Sequence, residues 1–285
     1  MTIALREGRR DDAAECGRIC FEAFRAIADA HRFPPDMPSA EFATRVVASL
    51  LTHPGVHGVV AERDGKIVGS NFLDERDAIS GVGPITVDPV GQNQGVGGRL
   101  MRAVMDRSNA KGFAGIRLVQ AGYHTRSLSL YAKLGFDVRE HLSCFQGAPM
   151  NQTVDGYAVR PAMSDDLAAC DALCAAVHGF ARSGELRDAV VRGGASVVER
   201  VGRVTGYTTG IAFFGHSVAE TADDLQALIA AAPSFGGPGF LVPSRDGALM
   251  RWCLARGLRV TQSMTLMAMG LYSEPRGAWL PSVTY

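Results

Sequence analysis

One stretch of this chain has residue types and spacing that point directly to chemistry. VDPVGQNQGVGGRLM (87–101) places Gly91, Gly95, Gly97 and Gly98 close together and then runs into an apolar-periodic helix. Glycine in or beside a helix costs roughly 0.5–1 kcal/mol relative to alanine, so the cluster answers a demand other than helix stability. A strand precedes it and a helix follows. At such a junction the first backbone N–H groups are unpaired and carry the positive end of the helix dipole, a geometry that binds phosphate. No Ser, Thr or Asp stands just before Gly95 to cap the helix, which leaves the cap to a ligand oxygen. Glycines at 95, 97 and 98 let that ligand reach the backbone without meeting a Cβ.

Two common phosphate ligands do not fit the pattern. A P-loop ends in Gly-Lys-Ser/Thr, whereas Gly98–Arg99–Leu100 stands here. A dinucleotide fingerprint has a third glycine and follows the first strand of a βαβ unit; Gly95–Val96–Gly97–Gly98–Arg99–Leu100 ends in Leu and follows a fourth strand.

Gln92–Asn93–Gln94–Gly95–Val96–Gly97 resembles instead the Gln/Arg-x-x-Gly-x-Gly/Ala motif of the GNAT N-acetyltransferases. A second stretch, HTRSLSLYAKLGF (124–136), is similar to the family's other signature, with Ser127, Tyr131, Gly135 and Phe136 in register. Together the similar segments cover residues 80–140 in the family's order. The resemblance implies an acyl-CoA N-acyltransferase fold with acetyl-CoA as cosubstrate and no metal. It implies that the pantetheine arm lies along Ile85, Thr86 and Val87, after a break in pairing at Gly83–Pro84. It further implies that the pyrophosphate takes the backbone N–H groups of Gln94, Gly95, Val96, Gly97 and Gly98, with Gln92 and Asn93 shaping the turn. Arg99 is either a helper charge or a solvated side chain. Tyr131 matches the tyrosine that donates a proton to the leaving CoA thiolate; its alternative role is core packing.

Two positions depart from the family pattern. His124 stands where Asn is frequent, either to hydrogen-bond the cosubstrate with Ser127 or to cap its helix. No acid stands near Gly81, where some relatives carry a general base. Asp74, Glu75 and Asp77 lie in the preceding turn as weak candidates, and a proton path through water is the favoured reading.

These residues need elements to position them. Periodicity predicts a strand at 3–6, helices at 11–29 and 39–52, and a hairpin of strands 56–62 and 66–73 around Arg63–Asp64–Gly65. A strand at 79–87, the glycine loop, helix 95–110, strand 115–120, helix 124–134 and strand 136–145 follow. A meander that passes into βαβ means a mixed α/β sheet with helices on both faces.

The chain then repeats itself. ALREGRRDDAAECGRIC (4–20) aligns with AVRPAMSDDLAACDALC (158–174), matching Arg6 to Arg160, Asp11–Asp12 to Asp165–Asp166, Cys16 to Cys170 and Cys20 to Cys174. Two tandem GNAT-like domains are expected: a catalytic one at 1–146, a Gly/Pro/Asn linker at 147–156, and a second at 157–285. The second has lost its equipment. Strands 195–200 and 204–214 are read as its hairpin and fourth strand. Where a glycine loop should follow, Glu220, Asp223 and Asp224 gather at a helix start; they suit the helix dipole and repel a pyrophosphate. Cys253 replaces the tyrosine. This half is expected to bind no acetyl-CoA and to complete the substrate cleft or an interface. Its aromatic tail, 272–285, is read as an ordered strap on the strength of Trp279 and Tyr285.

Composition fits an ordinary globular protein with a sizeable core: 285 residues, 47% hydrophobic, 20% charged, formal net charge zero. A chain of zero net charge gives no sign of a polyanion partner, so nucleic acid is not an expected one. No signal peptide or apolar run long enough to span a bilayer is visible, so the reading is cytoplasmic, without membrane contact. The six cysteines are read as core thiols, including the helical pairs Cys16/Cys20 and Cys170/Cys174. The expected partner is an amine acceptor, a small molecule or a peptide, with HRFPPDMP (31–38) at its rim and His31 exposed there; a homodimer is admitted. An acyl-CoA-binding sensor or interaction protein that kept the fold is the alternative to an enzyme.

Overall fold

The computed structural model describes residues 3–284. The first half opens with β1 (Ile3–Glu7), α1 (Ala13–His31) and α2 (Ala40–Thr52), followed by β2 (Val56–Arg63) and β3 (Lys66–Asp74). Ser39 caps α2, its Oγ accepting from the Phe42 N–H at 3.2 Å. The hairpin turns where Asp64 (φ 50°) and Gly65 (φ 74°) take the left-handed backbone that such tight turns need. Strand alternation then sorts the two faces. Val60 and Phe72 pack with Cys16, Cys20 and Val47 of α1 and α2. Val59, Ala61 and Leu73 pack with Leu100, Met101 and Val104 of α3 (Val96–Ala110).

The predicted strand 79–87 is broken in two, β4 (Ser80–Val82) and β5 (Thr86–Val87). Both pair with β3, Val82 opposite Leu73 and Thr86 opposite Ser70. Residues 83–85 therefore stand opposite 71–72, a bulge with an extra residue on the outer side. β4 also pairs in parallel with β6 (Gly115–Ala121), but only at Ser80 and Gly81. Beyond that point the strands part. α4 (Thr125–Lys133) and β7 (Asp137–Gln146) complete this half.

The second half repeats the plan: β8 (Ala158–Pro161), α5 (Leu167–His178), α6 (Ser183–Val191), β9 (Ser196–Arg200), β10 (Arg203–Thr208), β11 (Ser217–Ala219), α7 (Ala222–Ala231), β12 (Phe240–Pro243), α8 (Gly247–Ala255), β13 (Arg259–Gly270) and β14 (Ala278–Leu280). The sequence repeat holds atom by atom. Arg6 grips Asp12 through two bonds of 2.7 and 2.8 Å, and Arg160 grips Asp166 through two of the same lengths. Each arginine also reaches a glutamate on the second strand of its half, Glu62 at 2.7 Å and Glu199 at 2.5 Å. All six cysteines are free and buried.

One expectation is corrected. The stretch 204–214 is not a single fourth strand. β10 stops at Thr208, residues 209–216 form a loop, and β11 takes the fourth-strand place by pairing with β10. The apolar run Ile211–Phe214 reads as a strand because its side chains bury: Phe213 is part of a core shared with β7 and β13, and Phe214 packs on the α1/α2 core.

The halves exchange strands. The larger sheet runs β1-β2-β3-β4-β6-β13-β7-β12, with β5 on β3. Thus β13 from the second half lies between β6 and β7 of the first, and β7 lies between β13 and β12 of the second. The smaller sheet runs β14-β11-β10-β9-β8. In it β14 pairs along β11 and packs against β12. Among the described residues no helix is long and apolar enough to cross a membrane.

Candidate active site

The parting of β4/β5 from β6 opens a cleft of about 780 Å³. Val82–Val87 form one wall and Leu118–Ala121 the other; the glycine loop and the N-terminus of α3 close one end, and α4 lies alongside. Of the residues predicted to hold a cosubstrate, Ile85, Thr86, Val87, Gln92, Asn93, Gly95, Val96, Gly97, Gly98, His124 and Ser127 all line this cleft, as does Tyr131. Gln94 is not among the lining residues and is exposed. Arg99 lies off the cleft, donating to the Ile3 carbonyl at 3.1 Å.

The local sequence explains the geometry. Asp88 accepts from the Val90 N–H at 2.9 Å and starts a short turn over Pro89–Gly91. Gly95 caps α3 from the left-handed region (φ 79°) with no side-chain hydrogen bond. A Cβ would be strained at that φ. The first-turn N–H groups of α3 thus have no partner inside the helix. Gly97 has ordinary helical backbone; a Cβ there would sit 3.6 Å from Leu130.

Several polar side chains in the cleft lack protein partners. Thr86 Oγ1, Gln120 Nε2 and His124 Nε2 are buried without a hydrogen bond. Buried polar atoms normally find a partner, so this set suits a polar ligand. His124 is the N-cap residue of α4, and its side chain makes no cap bond. Burial, then the charge of Arg126 and the proximity of His31, pull its pKa down to about 4, so the imidazole is neutral at physiological pH. Ser127 Oγ lies 3.0 Å from the His124 carbonyl and 3.3 Å from Gln120 Oε1. Tyr131 is 6% exposed, and desolvation pushes its pKa well above the usual phenol value. It is a protonated phenol throughout the neutral range. Its ring packs edge-on to Phe136, centroids 6.3 Å apart.

The structure adds Arg126, which sequence reasoning passed over. Its guanidinium donates to Gln92 Oε1 at 2.5 Å and to Asn93 Oδ1 at 3.3 Å, placing a cation on the glycine loop. A positive side chain in the first turn of a helix opposes the dipole; that misfit was the available signal.

Asp74, Glu75 and Asp77 do not line the cleft. Asp74 pairs with Arg76 at 2.5 Å. Glu75 is held by Arg107 and by Lys111, the latter at 2.9 Å. Asp77 accepts from the Gly184 N–H at 2.8 Å, bracing α6 of the second half.

Residues 21–136 match the sequence model of the acetyltransferase (GNAT) family. These residues form a GNAT-family domain. Members of the family use acyl-CoA and act on amine acceptors. Over nearly the whole chain the fold is similar to a candidate acetyltransferase from Pyrococcus horikoshii, with TM-score 0.74 and 17% identity over 96% of this chain and 91% of that one. It is also similar to a GCN5-related N-acetyltransferase from Sphaerobacter thermophilus, with TM-score 0.62 and 16% identity over 95% and 96%. A tandem GNAT protein from the clavulanic acid biosynthesis pathway gives TM-score 0.58 and 12% identity over 94% and 98%. No curated protein matches the sequence. Over its whole length the chain thus shares its fold with these proteins, a tandem GNAT protein among them.

The counterpart of the cleft in the second GNAT-like half differs in each part. β14 lies along β11, its Ala278, Trp279 and Leu280 at most 9% exposed. Thr221 and Asp224 form a capping box on α7, the Asp224 carboxylate accepting from Thr221 N–H at 3.1 Å and from Thr205 Oγ1 at 2.6 Å. Asp224 is fully buried. Cys253 is also fully buried, and burial pushes its thiol up to about 12. Tyr285, one basis for reading the tail as ordered, lies outside the described residues.

Proposed function

We propose that this protein is an acetyl-CoA-dependent N-acetyltransferase with one working site per chain, formed by its first half. The observation that carries the reading is the convergence on one cleft of an uncapped helix N-terminus, a split strand pair and a buried phenol. Backbone N–H groups at Gly95 to Gly98 hold the pyrophosphate, with Arg126 adding charge beside Gln92 and Asn93. The open edge at Ile85–Val87 pairs with the pantetheine arm, and His124, Gln120 and Ser127 offer polar contacts along it. When bound, acetyl-CoA supplies an acyl group activated as a thioester. Tyr131 gives its proton to the sulfur as the C–S bond breaks. A phenol whose pKa is raised by burial remains protonated until that moment, and the thiolate's negative charge draws the proton. Positioning the amine against the thioester supplies much of the remaining rate.

In the second half β14 fills the place equivalent to the parted strands, and the Thr221–Asp224 capping box supplies the helix N-terminus with its own acceptors. It binds no acetyl-CoA in this reading, and serves to complete the cleft of the first half.

Calorimetric titration with acetyl-CoA tests the assignment by stoichiometry: one site per chain is expected, and two would overturn the reading of the second half. Tyr131→Phe should lower kcat ~10²–10⁴-fold while leaving acetyl-CoA affinity and the fold unchanged. Wild-type turnover in that variant would remove Tyr131 from the chemistry.

A further inference from the structure

The cleft does not end where the strands part. It continues between α1 and the second half, where Phe24, Ile27, Met37, Phe214, Met264 and Val283 form an apolar chamber. Among the described residues lining the whole cleft, Asp36 is the one carboxylate. It sits in the loop between α1 and α2. Its Oδ1 accepts from Gln262 Nε2 at 2.9 Å. No other donor among the described residues reaches the carboxylate, and no cationic side chain pairs with it. Gln262 is 3% exposed on β13, so the second half sets the position of this acid.

A carboxylate in apolar surroundings without a cationic partner is costly. A cationic ligand removes the cost. The cleft wall carries the rings of His31 and Tyr123, centroids 5.3 Å apart, and Phe33, off the cleft, stacks on Tyr123 with centroids 4.2 Å apart and 9° between planes. Such faces favour an ammonium group nearby.

We propose that Asp36 receives the acceptor of the transfer reaction, binding the ammonium of a small apolar amine of single positive charge and taking its proton, with Gln262 as the positioning residue. The inference rests on the acetyl-transfer reading above. The chamber selects against acceptors with several charges, because one carboxylate and apolar walls leave further charges unpaired. Burial raises the pKa of Asp36, which makes it a stronger base than an exposed aspartate. The titratable groups that feel its charge are Tyr123, Cys20 and Cys144, all with raised pKa and so uncharged near neutrality.

Asp36 takes one proton from the alkylammonium, leaving a neutral amine. The amine nitrogen bonds to the acyl carbon and the C–S bond breaks. Tyr131 protonates the departing sulfur and recovers a proton from the nitrogen as the amide forms. Asp36 then releases its proton to water. The net change is alkylammonium plus acetyl-CoA to N-alkylacetamide, CoA thiol and one proton.

The test uses the full chain and three arms. Acetyl-CoA is titrated into wild type, Asp36→Asn and Gln262→Leu, and its Kd should agree within about twofold because neither side chain is among those assigned to the cosubstrate. 2-Phenylethylammonium chloride is titrated without cosubstrate; it should bind wild type and bind Asp36→Asn at least ~10-fold more weakly. Thiol release is then followed with 2-phenylethylamine, n-hexylamine, spermidine and glutamate. The two apolar monoamines should be preferred, with kcat/KM falling ~10²-fold or more in Asp36→Asn. Gln262→Leu removes a hydrogen bond that favours the carboxylate, so the acid limb of its pH–rate profile should move to higher pH; an unmoved limb would remove Gln262 from the proposal. Normal acetyl-CoA binding with wild-type ammonium affinity in Asp36→Asn, or with spermidine or glutamate preferred, or with no apolar monoamine acetylated, would overturn it. Loss of acetyl-CoA binding in wild type would instead sink the assignment of the cleft, and this inference with it.

Discussion

At the scale of the residue, the site is built from groups that lack something. Gly95 lacks a Cβ and a cap, His124 lacks a partner for Nε2, and Asp36 lacks a cation. Gly97 is the position at which this can be probed with least damage. Its backbone is helical and its missing Cβ points toward Leu130 and the cleft, so a large side chain blocks the ligand before it disturbs the core. Gly97→Trp should abolish acetyl-CoA binding in calorimetry while changing folding stability by no more than about 1 kcal/mol. Unchanged affinity would mean the phosphates lie elsewhere. The loop stands out in the sequence because its glycines fall within one strand–helix junction, and Tyr131 because Gly135 and Phe136 follow it in the spacing of a family signature. Asp36 with Gln262, and Arg126 with Gln92, depend on contacts between distant segments, and no local pattern announces them.

At the scale of the element, periodicity placed most helices and strands of the first half to within a few residues. It failed where burial came from the wrong neighbour. Residues 209–216 look like strand because they are apolar, but Phe213 and Phe214 bury against the other half and line the cleft. The split of the predicted strand at 79–87 was foreshadowed by Gly83–Pro84, since proline cannot donate to a ladder. β14 is the element whose role was least legible. Its Trp279 is 4% exposed and meets His178 edge-on, centroids 5.4 Å apart. Trp279→Ala should cost ~3–5 kcal/mol of unfolding free energy, read from urea midpoints. A loss below about 1 kcal/mol would show that the strand is an accessory strip rather than part of the core. The variant should still bind one acetyl-CoA per chain, because Thr221 and Asp224 continue to satisfy the start of α7.

At the scale of the molecule, duplication was readable in the sequence but strand exchange was not, because both arrangements use the same strands with the same alternation. The exchange makes the halves interdependent. Met267 of β13 is fully buried in the core that holds Tyr131, Phe136 and Leu118. Residues 1–150 produced alone would leave β6 and β7 as open edges, which pair with other chains. They should aggregate and bind no acetyl-CoA, whereas co-production with residues 151–285 should restore a soluble complex that binds one equivalent. A soluble, cosubstrate-binding fragment 1–150 would show that β13 is dispensable. The same feature bears on the order in which the protein is made. On a ribosome, β7 is finished at residue 146 and β13 begins at residue 259. At ~5–20 residues per second, synthesis of the intervening chain lasts roughly 6–23 s. Throughout that interval the nascent first half carries its whole signature, glycine loop and tyrosine included, on a sheet whose β6 and β7 edges are still open. In the proposed reading, cosubstrate binding is therefore acquired late, when translation has passed β13, and chains terminated before that strand should bind no acetyl-CoA.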